Sequence, residues 1–500
     1  MTRDARARSA DVYTRPRAVR RPPIKARRPR GNPLPDGVSV PHTAPSDWSP
    51  ESWKARLAAH QVVYEDRAAV DAAVLKLRSL PPLVTSWEIE RLKRLLAEAQ
   101  EGKRFLLQGG DCAESLADCN PESIANKLKI LLQMSLALVH GSKKPVIRVG
   151  RFAGQYAKPR SSPMETRMGD DGREVTLPSY FGDLINRADF TPDARRTDPH
   201  LMVRGYQHAA MTLNFVRALI DGGFADLHHP EYWDLSFMHE AALPADLRAE
   251  YQRLSAGLAD ALKFMEALGE TSVAELTRVE FFTSHEALNL LYESAQTRRV
   301  PRRTEHYNLT THMPWLGDRT RALDGAHIEY ARGVANPIGV KLGARARAED
   351  AVALARALNP AKEPGKLTLI TRLGAPNVRA ALPGLIRAVR DADAGPVLWV
   401  CDPMHGNTET TARGVKTRRF EAILEELDHT FDIHAAEGSR LGGVHFELTG
   451  EDVTECLGGA GGLSEDDLAR NYASPCDPRL NYQQAMEMAF LLARRMANGG

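Results

Sequence analysis

The sequence predicts an α/β fold of the (β/α)8 barrel class, with an N-terminal helical extension and a helical insertion after the second strand. Three observations lead there. Apolar content of 43% and charged content of 26% over 500 residues describe a soluble chain with room for one large domain and additions. After Lys103, short apolar runs recur eight times, most of them followed by a helical pattern. Those runs end in ionisable or thiol side chains, and such barrels keep their chemistry at the C-terminal ends of the strands. Doubly wound sheets share the alternation of strand and helix.

Residues 1–48 form a basic arm rich in Pro and Arg. Residues 1–31 alone carry ten Arg and one Lys against two Asp. Such a stretch reads as solvated and disordered, ahead of a contact with nucleic acid or an acidic partner. A transit peptide ranks third, because Ser9 is the only Ser before Ser39. Without the arm the chain is mildly acidic, so the body gives no charge argument for nucleic acid. No apolar run reaches the ~18–20 residues that span a bilayer. The N-terminus shows no apolar signal core. Five Cys with no CxxC pair fit a reduced, cytoplasmic setting.

Residues 49–104 read as the helical extension. SPESW (49–53) is a helix start, with Ser49 as cap, Pro50 at the first position and Glu51 in the first turn. Helices are expected at 52–61, 68–78 and 86–101. The barrel then occupies 105–495. Its runs are FLLQGG (105–110), VIRVGR (146–151), VEFFTSH (279–285), YNLTTHM (307–313), IGVKLG (338–343), TLITRLG (368–374), VLWVCDPM (397–404) and GVHFELTG (443–450). Helical patterns come after them at 286–297, 348–359, 377–392 (despite Pro383) and 417–431. About 152–278 is too long for a plain loop and reads as the insertion, with helices near 205–221 and 245–268. LGGAGGL (457–463) does not directly follow a strand, so it fails as a dinucleotide loop and reads as a turn before a helix capped by Ser464. His228 and His229 read as polar loop surface.

Two chemical sets sit at the strand ends. Cys112, His405 and Glu447, with Asp477 just past the last run, are all divalent-metal ligand types. The mixed S/N/O set suits Mn, Co, Fe or Zn better than Mg or Ca. The second set is cationic: Arg151, Arg319, Lys341 and Arg372, with Lys158 and Arg160 nearby. Lys341 and Arg372 lie inside apolar runs, where an unpaired charge is costly. A ligand carrying phosphate and carboxylate groups is the expected partner.

QGGDCAES, RVGRFAGQYAKPRS, GDRTRALDGAHI, NPIGVKLG, ITRLG, WVCDPMHGNT, GGVHFELTGEDVTECLGG and SPCDPRLNYQQAMEMAFLLA resemble the type II (plant-like) 3-deoxy-D-arabino-heptulosonate 7-phosphate synthases over about residues 50–495. The resemblance implies a (β/α)8 enzyme that condenses phosphoenolpyruvate with erythrose 4-phosphate, opening the shikimate pathway. It implies one divalent metal, Mn or Co favoured, on Cys112, His405, Glu447 and Asp477. Arg151, Asp318, Arg319, Lys341 and Arg372 match phosphoenolpyruvate-binding positions, with Lys341, Arg372 and His405 as catalytic residues. Asp318 departs from the Glu usual there. Lys158, Arg160 and Ser161 match the motif for the aldose phosphate. The resemblance also implies homo-oligomers, feedback by aromatic amino acids and, in some bacteria, a complex with chorismate mutase. An amino-sugar variant of specialised metabolism and a non-catalytic regulatory relative are the alternatives. Because Cys476 precedes Asp477, it is expected within several Å of Cys112, close enough for a disulfide in the metal-free protein.

Overall fold

The chain is described by a computed structural model covering residues 47–160, 162–169, 172–222 and 280–498, with isolated positions between 245 and 253. Eight parallel strands form one curled sheet: β1 (Phe105–Gly110), β2 (Val146–Arg151), β3 (Phe282–Thr283), β4 (Trp315–Leu316), β5 (Ile338–Gly343), β6 (Leu367–Arg372), β7 (Leu398–Cys401) and β8 (Leu441–Glu447). Every position of β1, β5 and β8 is buried, as expected of strands covered on both faces. The order in the sheet is β3-β2-β1-β8-β7-β6-β5-β4. Its two ends meet: Glu286, just past β3, bridges Trp315 of β4 in parallel. Trp315 N donates to His285 O at 3.0 Å, and Ala287 N donates to Trp315 O at 2.9 Å. The sheet therefore closes into the expected barrel.

Helices at Pro121–Ser142, Ala348–Leu358, Ala375–Asp391, Phe420–Ala436 and Tyr482–Asn498 surround it, with shorter ones at Leu290–Ala295 and Ala326–Ala331. Pro383 is carried inside its helix. The Ser86–Gln100 helix begins at a capping box between Thr85 and Glu88. Its Leu92, Leu95, Leu96 and Ala99 join a buried cluster with Leu106, Ile370, Val400 and other barrel residues. No helix among the described residues is long and apolar enough to cross a membrane.

Three expectations need correction. The helix at 52–61 is only a 3-10 turn, Ser52–Ala55. Trp48 and Trp53 are buried in one cluster with Leu290 and Tyr330, and His60 has a left-handed backbone (φ 54°). This anchoring overrides local helix propensity. The fourth barrel strand lies at Trp315–Leu316, not at 307–313. His306–Asn308 instead pairs antiparallel with Thr297–Arg299. Between them, Thr310 Oγ1 donates to Glu293 at 2.9 Å and His312 Nδ1 accepts from Thr283 N at 2.9 Å. Satisfying these buried polar groups sideways takes the segment out of the ladder. Ser464 caps no α-helix, because the element that follows it directly is the short 3-10 turn Asp467–Ala469. In the insertion, an antiparallel ribbon (Met164–Met168 with Glu174–Pro178) precedes the His200–Asp221 helix. The segment at 245–268, apart from a few positions, and His228 and His229 lie outside the described residues, as does Ser161.

Candidate active site

The register of the ladder begins the site. Gly110 pairs with Arg151 on one side and Glu447 on the other, so all three stand level at the C-terminal rim. Gly110 has φ 141°, and a Cβ there would press on the Arg151 backbone. The chain continues into Asp111 and Cys112, both fully buried.

Four donor types then converge. His405 Nε2 lies 3.0 Å from Glu447 Oε1. Cys112 Sγ lies 3.4 Å from Asp477 Oδ2 and accepts from Asp477 N at 3.3 Å. Ligand atoms of His405, Glu447 and Asp477 all fall within 4.8 Å of one another, and so do those of Cys112, Cys476 and Asp477. Asp477 belongs to both groups, so the structure brings the four expected ligands together and adds Cys476. Asp402 Oδ2 accepts from His405 Nδ1 at 2.7 Å, which leaves Nε2 facing the other donors.

Lys158 occupies the middle of this corner. Its ammonium lies 2.6 Å from Cys112 Sγ, 3.2 Å from Asp477 Oδ2 and 3.5 Å from Glu447 Oε1. The corner is thus built to hold positive charge, and its soft, borderline and hard donors fit a first-row divalent metal. Electrostatics agree. Burial opposes charge on Glu447, but His405, Lys158, Arg418 and Arg151 hold its carboxyl well below the usual range. Burial also pushes the Cys112 thiol up, aided by Cys476 and Glu447. Its hydrogen bond with Cys112 lowers the Cys476 thiol to about 7.

A cavity of 470 Å³ opens beside the corner. Lys158, Arg160, Arg319, Lys341 and Arg372 line it, together with His405 and Asp477. Lys341 and Arg372 were expected to lack protein partners, and that is corrected. Lys341 Nζ lies 2.7 Å from Asp402 and 4.5 Å above the Trp315 ring. Burial lowers it to about 8, with Asp402 pulling upward. Arg372 donates to His405 O at 3.0 Å and lies 3.8 Å from Asp318. The missing information was tertiary: Asp402 sits on β7's exit, two strands away from Lys341.

The remaining candidates divide. Arg151 is fully buried, donating to Glu447 at 3.0 Å, with Trp315 over its guanidinium. It supports the corner and does not line the cavity. Asp318 lines the cavity but is engaged, accepting from Gly343 N at 2.9 Å and from Arg321 at 2.9 Å. Arg319 donates to Pro159 O at 3.3 Å, and Arg160 donates to Cys476 Sγ at 3.4 Å. The strand-end residues His285 and His312 turn away from the cavity, toward Glu293 and Thr283.

Sequence reasoning placed Glu286 at a strand end without giving it a role, and it missed Lys416 and Arg418. Glu286 lines the cavity with Oε1 buried and without a hydrogen-bond partner. Burial pushes its carboxyl up, while Lys158 and Lys341 pull it down. Its position at the end of a strand run was a usable signal. Lys416 lies 3.4 Å from Asp477, and Arg418 lies 2.8 Å from Glu447 Oε2. Both sit on an antiparallel ribbon, Thr408–Thr410 with Lys416–Arg418, which no periodicity marks as part of the rim.

A family model described as the class-II DAHP synthetase family matches residues 48–493. A phospho-2-dehydro-3-deoxyheptonate aldolase of Neurospora crassa is 49% identical over 461 residues, covering 89% of this chain and 94% of its own length. One from Streptomyces coelicolor is 47% identical over 451 residues, covering 90% and 97%. A solved phospho-2-dehydro-3-deoxyheptonate aldolase from Francisella tularensis SCHU S4 aligns over 87% of this chain and 97% of its own, at 15% identity and a TM-score of 0.44, too distant to bear on the fold. With a family match along nearly the whole body and relatives near half identity, the chain belongs to the class-II DAHP synthetase family.

Proposed function

We propose that this cavity is where the chain condenses phosphoenolpyruvate with D-erythrose 4-phosphate and water, giving 3-deoxy-D-arabino-heptulosonate 7-phosphate and phosphate. In that reaction C3 of phosphoenolpyruvate bonds to the aldehyde carbon, water supplies oxygen at C2, and the bond from C2 to the phosphate oxygen breaks. The observation that carries the reading is a corner of thiol, imidazole and two carboxylates opening on a cavity lined by six lysine and arginine side chains.

Cys112, His405, Glu447 and Asp477 would hold one divalent metal, Mn or Co favoured. When bound, it supplies Lewis-acid polarisation of the aldehyde. Lys341 and Arg372 hold the carboxylate and phosphate of phosphoenolpyruvate, turning C3 toward the corner. Arg319 closes that site at the rim, and Asp318 steadies Arg372. Arg151 acts from below by fixing Glu447. Lys158, Arg160 and Ser161 take the aldose phosphate, and Lys416 extends that patch. Glu286, with one buried unpartnered oxygen beside Lys341, is placed to accept the proton of the water that adds at C2.

The domain reading is 49–104 as extension and 105–495 as barrel. Exposed Leu57, Leu75 and Trp87 on the extension support self-association there. Contacts with aromatic amino acids or a chorismate mutase are proposed from family membership alone. Five free cysteines support a cytoplasmic setting. The test is direct: purified protein with Mn²⁺ and both substrates should release phosphate and consume phosphoenolpyruvate in equal amounts. No release with this aldose phosphate would overturn the reading.

A further inference from the structure

Three residues of the corner sit on segments that the barrel ladder does not fix. Cys112 lies in the exit of β1, Lys158 in the loop after β2, and Asp477 in the stretch before the last helix. Each of the two outer segments is gripped by one buried carboxylate. Glu114 accepts from Ala153 N (3.0 Å), Gly154 N (2.9 Å) and Gln155 N (2.8 Å). Glu455 accepts from Ala473 N (3.2 Å), Ser474 N (2.7 Å) and Arg479 N (2.7 Å). The three successive amides that converge on Glu114 make a nest, a geometry that loses its anchor when the anion is removed. Ala153 has φ 62°, a left-handed conformation that a non-glycine residue adopts only under constraint.

The two grips are joined. Arg479 bonds Glu455 at 2.9 Å and Asp111 at 2.7 Å. Lys127 bonds Asp111 at 2.7 Å and approaches Glu114 at 3.9 Å. All five side chains are 9% exposed or less in this buried line. Asp111 is the neighbour of Cys112, so the line passes through all three corner segments. On the far side, Gln155 Oε1 accepts from Glu286 N at 2.9 Å, which ties the same grip to the opposite wall of the cavity.

We infer that Glu114 and Glu455 are positioning residues: Glu114 sets the loop that carries Lys158 and Arg160, and Glu455 sets the segment that carries Asp477. This rests on the proposed roles of those residues toward the aldose phosphate and the metal. Neither carboxylate touches the cavity, so their effect on chemistry passes through backbone placement.

The test uses the full-length enzyme and the variants Glu114→Gln and Glu455→Gln. Each keeps the side-chain volume but swaps one acceptor for a donor that faces amide N–H groups. KM for each substrate is measured at saturating Mn²⁺, and Mn²⁺ affinity is measured by competition with a chromophoric chelator. Glu114→Gln should raise KM for erythrose 4-phosphate about tenfold or more and leave Mn²⁺ affinity within about twofold. Glu455→Gln should weaken Mn²⁺ affinity about tenfold or more and leave KM for phosphoenolpyruvate within about twofold. If a Gln variant does not fold, Glu114→Asp or Glu455→Asp keeps the charge with a shorter reach and should show the same split. Loss of active fraction with unchanged KM and metal affinity would overturn the inference. Lys158→Ala, Arg160→Ala and Asp477→Asn separate the two levels. If these leave aldose KM and metal affinity unmoved, the site reading fails; if these move them and the Glu variants do not, the positioning inference fails.

Discussion

The wall of Lys341 and Arg372 and the corner of Cys112, Lys158 and Asp477 face the same cavity, but they are built differently. The wall stands on the ladder: Lys341 pairs with Ile370, and Arg372 pairs with Gly343. Strand register alone places both cations at the rim. The corner stands mostly off the ladder and is assembled by buried charges that link distant segments. A wall of this kind tolerates loss of a single side chain locally, whereas the corner depends on every charge that gathers it.

The largest expected effect tests the corner. A chelator should abolish turnover, and Mn²⁺ or Co²⁺ should restore it. His405→Ala should lower kcat by about 10²-fold or more while thermal unfolding stays close to wild type. Full activity in chelator-treated enzyme would remove the metal from the account.

This difference also explains what the sequence could tell. β1, β2 and β5 match their apolar runs residue for residue, because a strand covered on both faces is written as a predominantly apolar stretch. β3 and β4 are two residues each, and their neighbours Thr310, Thr311 and His312 are buried polar groups that periodicity cannot place. Arg372 and Lys341 were legible as costly charges in apolar runs. Their partners Asp318 and Asp402 were not, since a pairing across strands leaves no local trace. Cys112 and Asp477 could be named by chemical type, but Lys416 and Arg418 reach the corner only through a ribbon that folds back after β7.

The second effect concerns redox and again distinguishes corner from wall. Cys112 and Cys476 lie within 4.8 Å through their sulfur atoms, and both are free. The lowered Cys476 thiol supplies thiolate near neutral pH, the species that reacts. Metal-free enzyme in air should form the Cys112–Cys476 bond, lose activity and recover with thiol plus metal. Peptide mapping after alkylation in denaturant checks this; two alkylatable thiols would reject it. The wall offers no such chemistry.

The third effect tests the wall alone. Lys341→Ala and Arg372→Ala should each weaken phosphoenolpyruvate by about 2 kcal/mol, roughly 30-fold, the usual loss for a hydrogen bond to a charged group. Calorimetry reads the affinity directly. Lys341→Ala also takes from the buried Asp402 one of its two 2.7 Å partners, so it should cost stability that Arg372→Ala does not. Unchanged affinity in both would make these cations structural ion pairs.

The smallest effect lies behind the wall. Glu426 is fully buried on the helix after β7, accepting from Leu373 N at 2.8 Å and from Asn407 Nδ2 at 2.7 Å. Asn407 Oδ1 in turn accepts from Ala375 N at 2.9 Å. The carboxyl thereby clasps the loops that follow Arg372 and His405. Burial pushes Glu426 up to about 8, and the nearby Asp402 charge adds to this against the pull of the Gly374 and Leu373 amides. Because the folded value lies above the unfolded one, its contribution to stability is complete at pH below the ordinary Glu value. It is lost as pH rises through about 8. Wild-type enzyme should therefore lose more thermal stability between pH 6 and pH 9 than Glu426→Gln. The difference in Tm should be on the order of a few degrees. Glu426→Gln also turns an amide N–H toward Asn407 Nδ2, so its Tm should be lower than wild type at pH 6. Parallel Tm curves for the two proteins would mean that Glu426 stays ionised and that its clasp is an anion holding amides, the same device found at the corner.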